Sequence, residues 1–303
     1  MLILGNGLTA MLALKCFPDS TAIAVSEPRD HKALLRFRTD AISKLTGIPF
    51  KKVRVHKAVW SDGNIVEPNI RLANIYSKKV SGGIYSRSIL NCAPADRFIA
   101  PPDFAEQLRE DVGDRIEIVE DYDQYVIKSE SQIISTIPMY DLKMAIGYFP
   151  TPEMEAVDNA SAPIYVTRYK LKNTDVYQTL YIASENNPIY RITIEGDIAI
   201  IESMDLINED KARTALYILN IDDSEILSRI YLNYKQSVGK MVPMDELDRQ
   251  TSIAKLTRVY DIYSLGRVAC WRPSVLLDDV LEDIYKIRDM IQLTPYERAM
   301  RWK

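Results

Sequence analysis

The sequence predicts an α/β protein in which a parallel-sheet domain is interrupted by an antiparallel sheet. Three observations carry this. Residues 1–25 read as strand, glycine-bearing turn, helix and second buried strand, a βαβ unit that starts at the first residue. Residues 163–204 alternate apolar and polar positions through PIYVTRYKL, VYQTLYIA, IYRITI and DIAIIES, with turn signals at Asn186-Asn187-Pro188 and Glu195-Gly196-Asp197. A buried strand at 132–136 and a last strand and helix at 260–265 and 276–292 flank that sheet.

The elements follow in order. Residues 1–4 form a short apolar strand, 5–10 a turn, 8–17 a helix and 21–25 the second strand, which ends towards Glu27. Residues 59–100 mix short strands, turns and tyrosines. Pro101-Pro102-Asp103 caps a helix running through Leu108. Residues 116–119 and 124–128 read as strands, and Pro138 stops the strand at 132–136. Residues 208–235 read as mostly helical. The expected organisation is one α/β domain built from 1–58, 131–150 and 256–303, a mixed segment of strands and helix at 59–130, and an inserted antiparallel-sheet domain with helices at 151–255.

Composition narrows the chemistry. The 303 residues are 47% hydrophobic and 26% charged with a formal net charge of -4, an ordinary globular balance that does not coat nucleic acid by bulk charge. Cys16, Cys92 and Cys270 have no CxxC spacing, so reduced thiols, a cytoplasmic location and no zinc site are expected. No apolar run is long enough for a membrane span. The only histidines are His31 and His56. A Ser-His-Asp triad or a histidine-rich metal site is hard to build from two, so the chemistry should rest on a cofactor.

Gly5-Asn6-Gly7-Leu8-Thr9-Ala10 fits G-x-G-x-x-G/A. Gly5 would make the tight turn, Gly7 would let backbone approach a pyrophosphate, and Ala10 would permit close packing of helix on strand. The helix start presents unpaired N–H groups and a positive dipole end to phosphates. Glu27 lies about 20 residues on, where an acid accepts the ribose hydroxyls. A glycine-rich turn in some other α/β protein is the alternative.

Three further segments carry a family resemblance. They are Ile133-Ile134-Ser135-Thr136-Ile137-Pro138, Asn187-Pro188-Ile189-Tyr190-Arg191-Ile192, and Tyr263-Ser264-Leu265-Gly266-Arg267 with Trp271-Arg272 and Leu277-Asp278-Asp279. With the N-terminal motif, the chain resembles the FAD-binding superfamily of UDP-galactopyranose mutases and flavin amine oxidases. The resemblance implies a Rossmann-type FAD-binding domain with an inserted antiparallel-sheet substrate domain and helical segments, and FAD as cofactor. Gly5, Gly7, Leu8, Thr9, Ala10 and Glu27 would hold the ADP part. Thr136 would lie near the cofactor, Gly266 and Arg267 beside the flavin, and Leu277 and Asp278 at the helix end facing it. Tyr190, Arg191, Arg267 and Trp271 are the substrate candidates. The family usually carries a Gly-Gly pair soon after the ribose acid, where this chain has Glu27-Pro28-Arg29-Asp30-His31. YSRSI at 85–89 and a GK pair at 239–240 resemble short members carried by bacteriophages.

Several residues have two readings. Between 29 and 57, Arg29, Lys32, Arg36, Arg38, Lys44, Lys51, Lys52, Arg54 and Lys57 face only Asp30 and Asp40. They form either a patch for DNA or a phosphate-bearing substrate, or a solvated face with paired charges. Arg191 is either a bidentate anion anchor or a structural arginine at a sheet edge. Asp278-Asp279 and Glu282-Asp283 match a helix start better than a metal site. The leading expectation is an FAD enzyme that oxidises or oxidatively cleaves an amine C–N bond. The amine would be a small molecule or an aminoacyl or aminoalkyl group on a modified base of phage DNA. The alternatives are a nucleotide-sugar mutase, with Arg191 and Arg267 holding a diphosphate, and a dinucleotide-binding protein without turnover.

Overall fold

The computed structural model describes residues 1–28, 35–84, 88–126, 132–147, 161–241, 244–293 and 297. Its elements begin with β1 (Leu2–Leu4), α1 (Leu8–Cys16), β2 (Thr21–Ala24), β3 (Arg36–Phe37), α2 (Ala41–Thr46), β4 (Lys51–Ser61), β5 (Asn64–Val66) and α3 (Ile70–Ser81). There follow β6 (Ala95–Ile99), α4 (Phe104–Val112), β7 (Ile116–Ile118), α5 (Asp123–Val126), β8 (Ile133–Ser135), α6 (Met139–Ala145) and β9 (Ser161–Leu171). The chain closes with β10 (Val176–Ile182), β11 (Ile189–Gly196), β12 (Ile198–Ser203), α7 (Glu209–Tyr217), β13 (Ile226–Met241), α8 (Glu246–Tyr260), β14 (Ile262–Ser264) and α9 (Leu277–Ile291). The chain forms two compact units. One comprises Met1–Lys51, Phe98–Asn159 and Pro243–Lys303, the other Lys52–Arg97 and Ala160–Val242.

The first unit is Rossmann-type. Its five strands lie in the order β14-β8-β1-β2-β7, all parallel. A parallel sheet is covered on both faces, so its strands are apolar throughout rather than alternating. Ile3, Ala22, Ile134 and Tyr263 point to one face and pack with α1, α4 and α9. Leu4, Ile23, Ile133 and Ile262 point to the other and meet Leu142 of α6 and Leu256 of α8. Helix α1 buries Ala10 to Leu14 without interruption, which suits a helix enclosed on most sides. Its last carbonyls are collected by one side chain: Arg115 Nη1 donates to the oxygens of Leu14, Phe17 and Pro18 at 3.0, 3.3 and 3.0 Å.

The second unit is a mostly antiparallel sheet, β13-β9-β12-β11-β10-β4, continued by β6. Only the β10–β4 pair in that order is parallel, from Gln178↔His56 to Ile182↔Trp60. Tyr169, Leu171, Leu180, Ile182, Ile192, Ile194, Ala199 and Ile201 form its core with Ala212, Ala215 and Leu216 of α7. Each strand supplies every second residue to this core, the period that the sequence shows. Helix α3 is fastened by Lys79, whose Nζ donates to the carbonyls of Ile182, Ser184 and Ile189 at 3.1, 3.1 and 2.6 Å.

Three elements differ from the sequence reading. Residues 208–235 are not mostly helical: α7 ends at Tyr217 and β13 begins at Ile226. The register of β13 on β9 shifts four times, and each shift breaks the alternation that marks a strand. Residues 124–126 belong to the short helix α5, not to a strand, and 127–128 lie outside the described residues. Residues 59–100 contain the helix α3, started by the Asn69 side chain, which accepts from Leu72 N at 3.0 Å.

Loss of the Arg115 cap should be costly. Arg115→Ala is expected to lower unfolding free energy by about 1–2 kcal/mol through three forfeited carbonyl bonds, and Arg115→Lys to recover only part. Urea unfolding followed by circular dichroism measures this.

Candidate functional site

The sheet reverses its direction of growth at β1. β2 and β7 lie to one side, β8 and β14 to the other. Ligands of open α/β sheets bind beyond the carboxyl ends of the strands at such a point. Here the β1 and β8 ends meet. The Thr136 hydroxyl donates to Leu4 O at 2.7 Å, Thr136 N donates to the same oxygen at 3.0 Å, and Gly5 N donates to Ile23 O at 2.8 Å. Gly5 has φ +109°, and a Cβ there would lie 2.5 Å from Thr136 Oγ1. Glycine is required on both grounds.

Gly7 is different. It caps α1 with φ -76° and ψ 177°, and no heavy atom of a described residue lies within 4 Å of where its Cβ would be. No side chain caps α1, and its first turn holds no acid. The start of α1 therefore offers open space, unpaired N–H groups and an uncompensated positive dipole end. Asn6 Nδ2 donates to Ser26 O at 2.7 Å and ties the turn to the segment after β2. Glu27 follows there, exposed and without a bond to any described residue. Ala10 is fully buried, as close packing of helix on strand requires.

The turn after β14 closes on the same place. Gly266 has φ +89°, and a Cβ there would lie 2.9 Å from Thr9 Cγ2 and 3.0 Å from Thr9 Oγ1. Gly5, Thr9, Thr136 and Gly266 thus gather around the start of α1. Arg267 lies at the surface with its guanidinium partly desolvated by neighbouring atoms, which lowers its pKa, and no ion pair joins it to an acid among the described residues. The turn folds back through Cys270 N to Gly266 O at 3.0 Å and Arg272 N to Arg267 O at 3.0 Å. Trp271 is buried and held at φ +46°. Burial pushes the Cys270 thiol up to about 11, which keeps it protonated and unreactive.

Two predicted groups are already engaged. The buried Asp278 carboxylate accepts from Arg38 N at 3.1 Å and from Thr39 N and Thr39 Oγ1 at 3.3 Å. Its oxygens therefore hold the segment after β3, while Leu277, half-buried beside it, packs against the first unit's core. Asp279 accepts from Leu276 N at 2.8 Å and pairs with Arg38. In the second unit, Glu202 takes Arg191 in a two-point ion pair, Nη2 to Oε1 being 2.6 Å, and accepts from Tyr190 OH at 3.0 Å. Burial alone would lower the Arg191 pKa, but the Glu202 carboxylate outweighs it and raises it well above the ordinary value. Burial next to Glu202 likewise keeps the Tyr190 phenol protonated.

The basic stretch is divided between the two units, and its described members have partners. Lys44 pairs with Asp40 at 2.9 Å, Lys52 and Arg54 share Asp96 at 3.1 and 2.8 Å, and Arg38 has Asp278 and Asp279. Arg36, Lys51 and Lys57 also make interactions. Arg29, His31 and Lys32 lie outside the described residues, as do residues 85–87 of YSRSI, and Gly239-Lys240 fall within β13. His56 is exposed on β4. No group of three or more His, Cys, Asp or Glu among the described residues could hold a metal, and no described helix is long and apolar enough to cross a membrane. Two features escaped the sequence reading. Asn6 sits inside the motif at an unspecified position, and the partner of Arg38 lies 240 residues away in the chain.

No protein-family model and no curated protein matches the chain. Solved structures match in fold. A CLA-producing fatty acid isomerase from P. acnes aligns with TM-score 0.55 and 8% identity over 96% of this chain and 98% of that one. The PF1083 protein from Pyrococcus furiosus aligns at 0.54 and 9%, covering 94% and 95%. An oxidoreductase from Methanosarcina mazei aligns at 0.52 and 8%, covering 95% and 99%. The Rossmann-type fold with its inserted sheet therefore extends over nearly the whole length of each.

The contact of Gly266 with Thr9 can be tested. Gly266→Ala adds a Cβ at positive φ against a neighbour and should destabilise the protein by about 2 kcal/mol or more. Thr9→Ala in the same chain should return only the steric part. Chemical unfolding of the two single variants and the double variant measures both.

Proposed function

We propose that the protein is an FAD-dependent enzyme that oxidises a small-molecule amine at its C–N bond. The observation that carries the cofactor is the pairing of an open, uncapped α1 start at Gly7 with the Gly266 turn pressed onto its first residues. The fit is specific: a Cβ has space at Gly7 and none at Gly5 or Gly266.

In this reading the N–H groups of Leu8, Thr9 and Ala10 bind the pyrophosphate, and Gly7 keeps the approach clear. Gly5 and Thr136 set the turn, and Glu27 accepts from the ribose hydroxyls. Gly266 and Arg267 border the flavin, with Arg267 offering positive charge that no acid among the described residues pairs, and Leu277 and Asp278 lie at the start of the helix that closes the site. FAD supplies a two-electron acceptor when bound. A neutral amine needs no strong protein base, which accords with a chain holding two histidines. A small-molecule amine is preferred to one carried on DNA because the described lysines and arginines of the basic stretch are paired. The mutase reading requires Arg191 to leave Glu202 before it can take a diphosphate.

Purified protein, or apoprotein reconstituted with FAD, should absorb near about 370 and 450 nm. Gly7→Ala should unfold within about 0.5 kcal/mol of the parent, since its Cβ meets nothing, yet bind FAD at least tenfold more weakly by fluorescence titration. A colourless protein that takes up no FAD overturns the reading, as does unchanged affinity in Gly7→Ala.

A further inference from the structure

A cavity of about 220 Å³ lies in the first unit, lined by Met244, Glu246, Arg249, Trp271, Arg272, Pro273 and Ser274. At about 30 Å³ per water it has room for roughly seven waters, or one small acid. Its two arginines are used very differently. Arg249 is nearly covered and spends its guanidinium on protein: Nη2 to Glu246 Oε1 at 2.6 Å, Nε to Glu246 Oε2 at 2.8 Å and Nη1 to Cys270 O at 3.2 Å. Arg249 and Gln250 hold the Glu246 carboxyl down to about 2. Glu246 is thus a fixed anion whose charge Arg249 already answers.

Arg272 is held loosely. Its side chain is 44% exposed and touches Asp283 Oδ2 through Nη1 at 3.3 Å. A guanidinium has five N–H donors in a planar fork, so most of those on Arg272 remain unspent among the described residues. Asp283 does not depend on Arg272, because Lys286 Nζ lies 3.1 Å from its other oxygen. Arg272 can therefore turn to a ligand without stranding a carboxylate. Ser274 adds an exposed residue with a hydroxyl, and Trp271, Met244 and Pro273 complete the lining. Asp245 and Asp248 do not line the cavity, and Asp245 is occupied in accepting from Leu247 N and Asp248 N at 2.9 and 3.2 Å. Trp271 sits at φ +46°, a conformation that a bulky residue adopts only when its surroundings impose it.

We propose that this cavity binds a small oxyanion, carboxylate or phosphate, with Arg272 as the principal ligand in a forked contact and Ser274 as a second donor. Asp283 acts as the internal competitor that holds Arg272 when no ligand is present. The site is defined without reference to FAD, and its test reads binding alone.

The test is calorimetric titration of the whole protein with sodium phosphate and, separately, sodium acetate, at ionic strength held constant with sodium chloride. Saturable binding of either probe in the millimolar range is expected, and the probe that binds identifies phosphate or carboxylate as the source. Arg272→Gln should weaken binding at least tenfold, and Arg272→Lys should restore only part because it lacks the fork. Asp283→Asn should tighten binding severalfold by removing the competitor. Arg288→Gln, a change elsewhere in the same unit, should leave it unchanged. Non-saturable heats for both probes, or equal affinity in the parent and Asp283→Asn, overturn the proposal even if Arg272→Gln fails to fold.

Discussion

Parallel strands that end side by side bring their connecting turns into one small space, and there the backbone leaves no room for side chains. In this protein that crowding occurs where β1 and β8 finish. Thr136 reaches back to Leu4 O, and a Cβ on Gly5 would overlap its hydroxyl. The same crowding recurs where Gly266 lies against Thr9. These two glycines let three strand ends and the start of α1 share one edge of the sheet. Gly7, two residues after Gly5, contrasts with both: no heavy atom of a described residue lies within 4 Å of where its Cβ would be. The site is thus defined by where backbone is packed tightly and where it is left open.

Charged groups elsewhere serve to fasten segments distant in sequence. Asp278 satisfies the amides of Arg38 and Thr39, and Arg115 satisfies one carbonyl in the last turn of α1 and two just past its end. In the second unit, Glu202 takes two bonds from Arg191 and one from Tyr190. A buried charge that loses such a partner costs several kcal/mol, so each of these groups is committed to the fold before any ligand is considered. Arg267 and Arg272 contrast with them. One has no acidic partner among the described residues and the other has a loose one, and both lie in the turn after β14.

The parts of the fold that could be read directly are those in which local pattern and burial agree. The βαβ opening, the β9–β12 alternation and the last helix are all in this class, because each buries one periodic face or one continuous apolar run. β13 was hidden by its own irregularity: its register shifts scramble the two-residue period, and a chain segment with mixed spacing resembles a helix. α3 was hidden because its helical face, Leu72, Ala73, Tyr76, Ser77 and Val80, mixes tyrosine and serine among the buried positions.

The segments at Thr136 and Gly266 were pointed to by a family resemblance; by itself the sequence determined the glycine-rich turn and the strand-helix-strand around it. It did so because those features rest on residue types with special backbone freedom or fixed periodicity. Only the tertiary structure decided which of those glycines faces open space, that Asp278 and Arg191 are engaged within the protein, and that the described members of the basic stretch have partners. Those outcomes depend on groups brought together from distant parts of the chain, such as Arg38 with Asp278, and no local spacing records which distant residue will supply a partner.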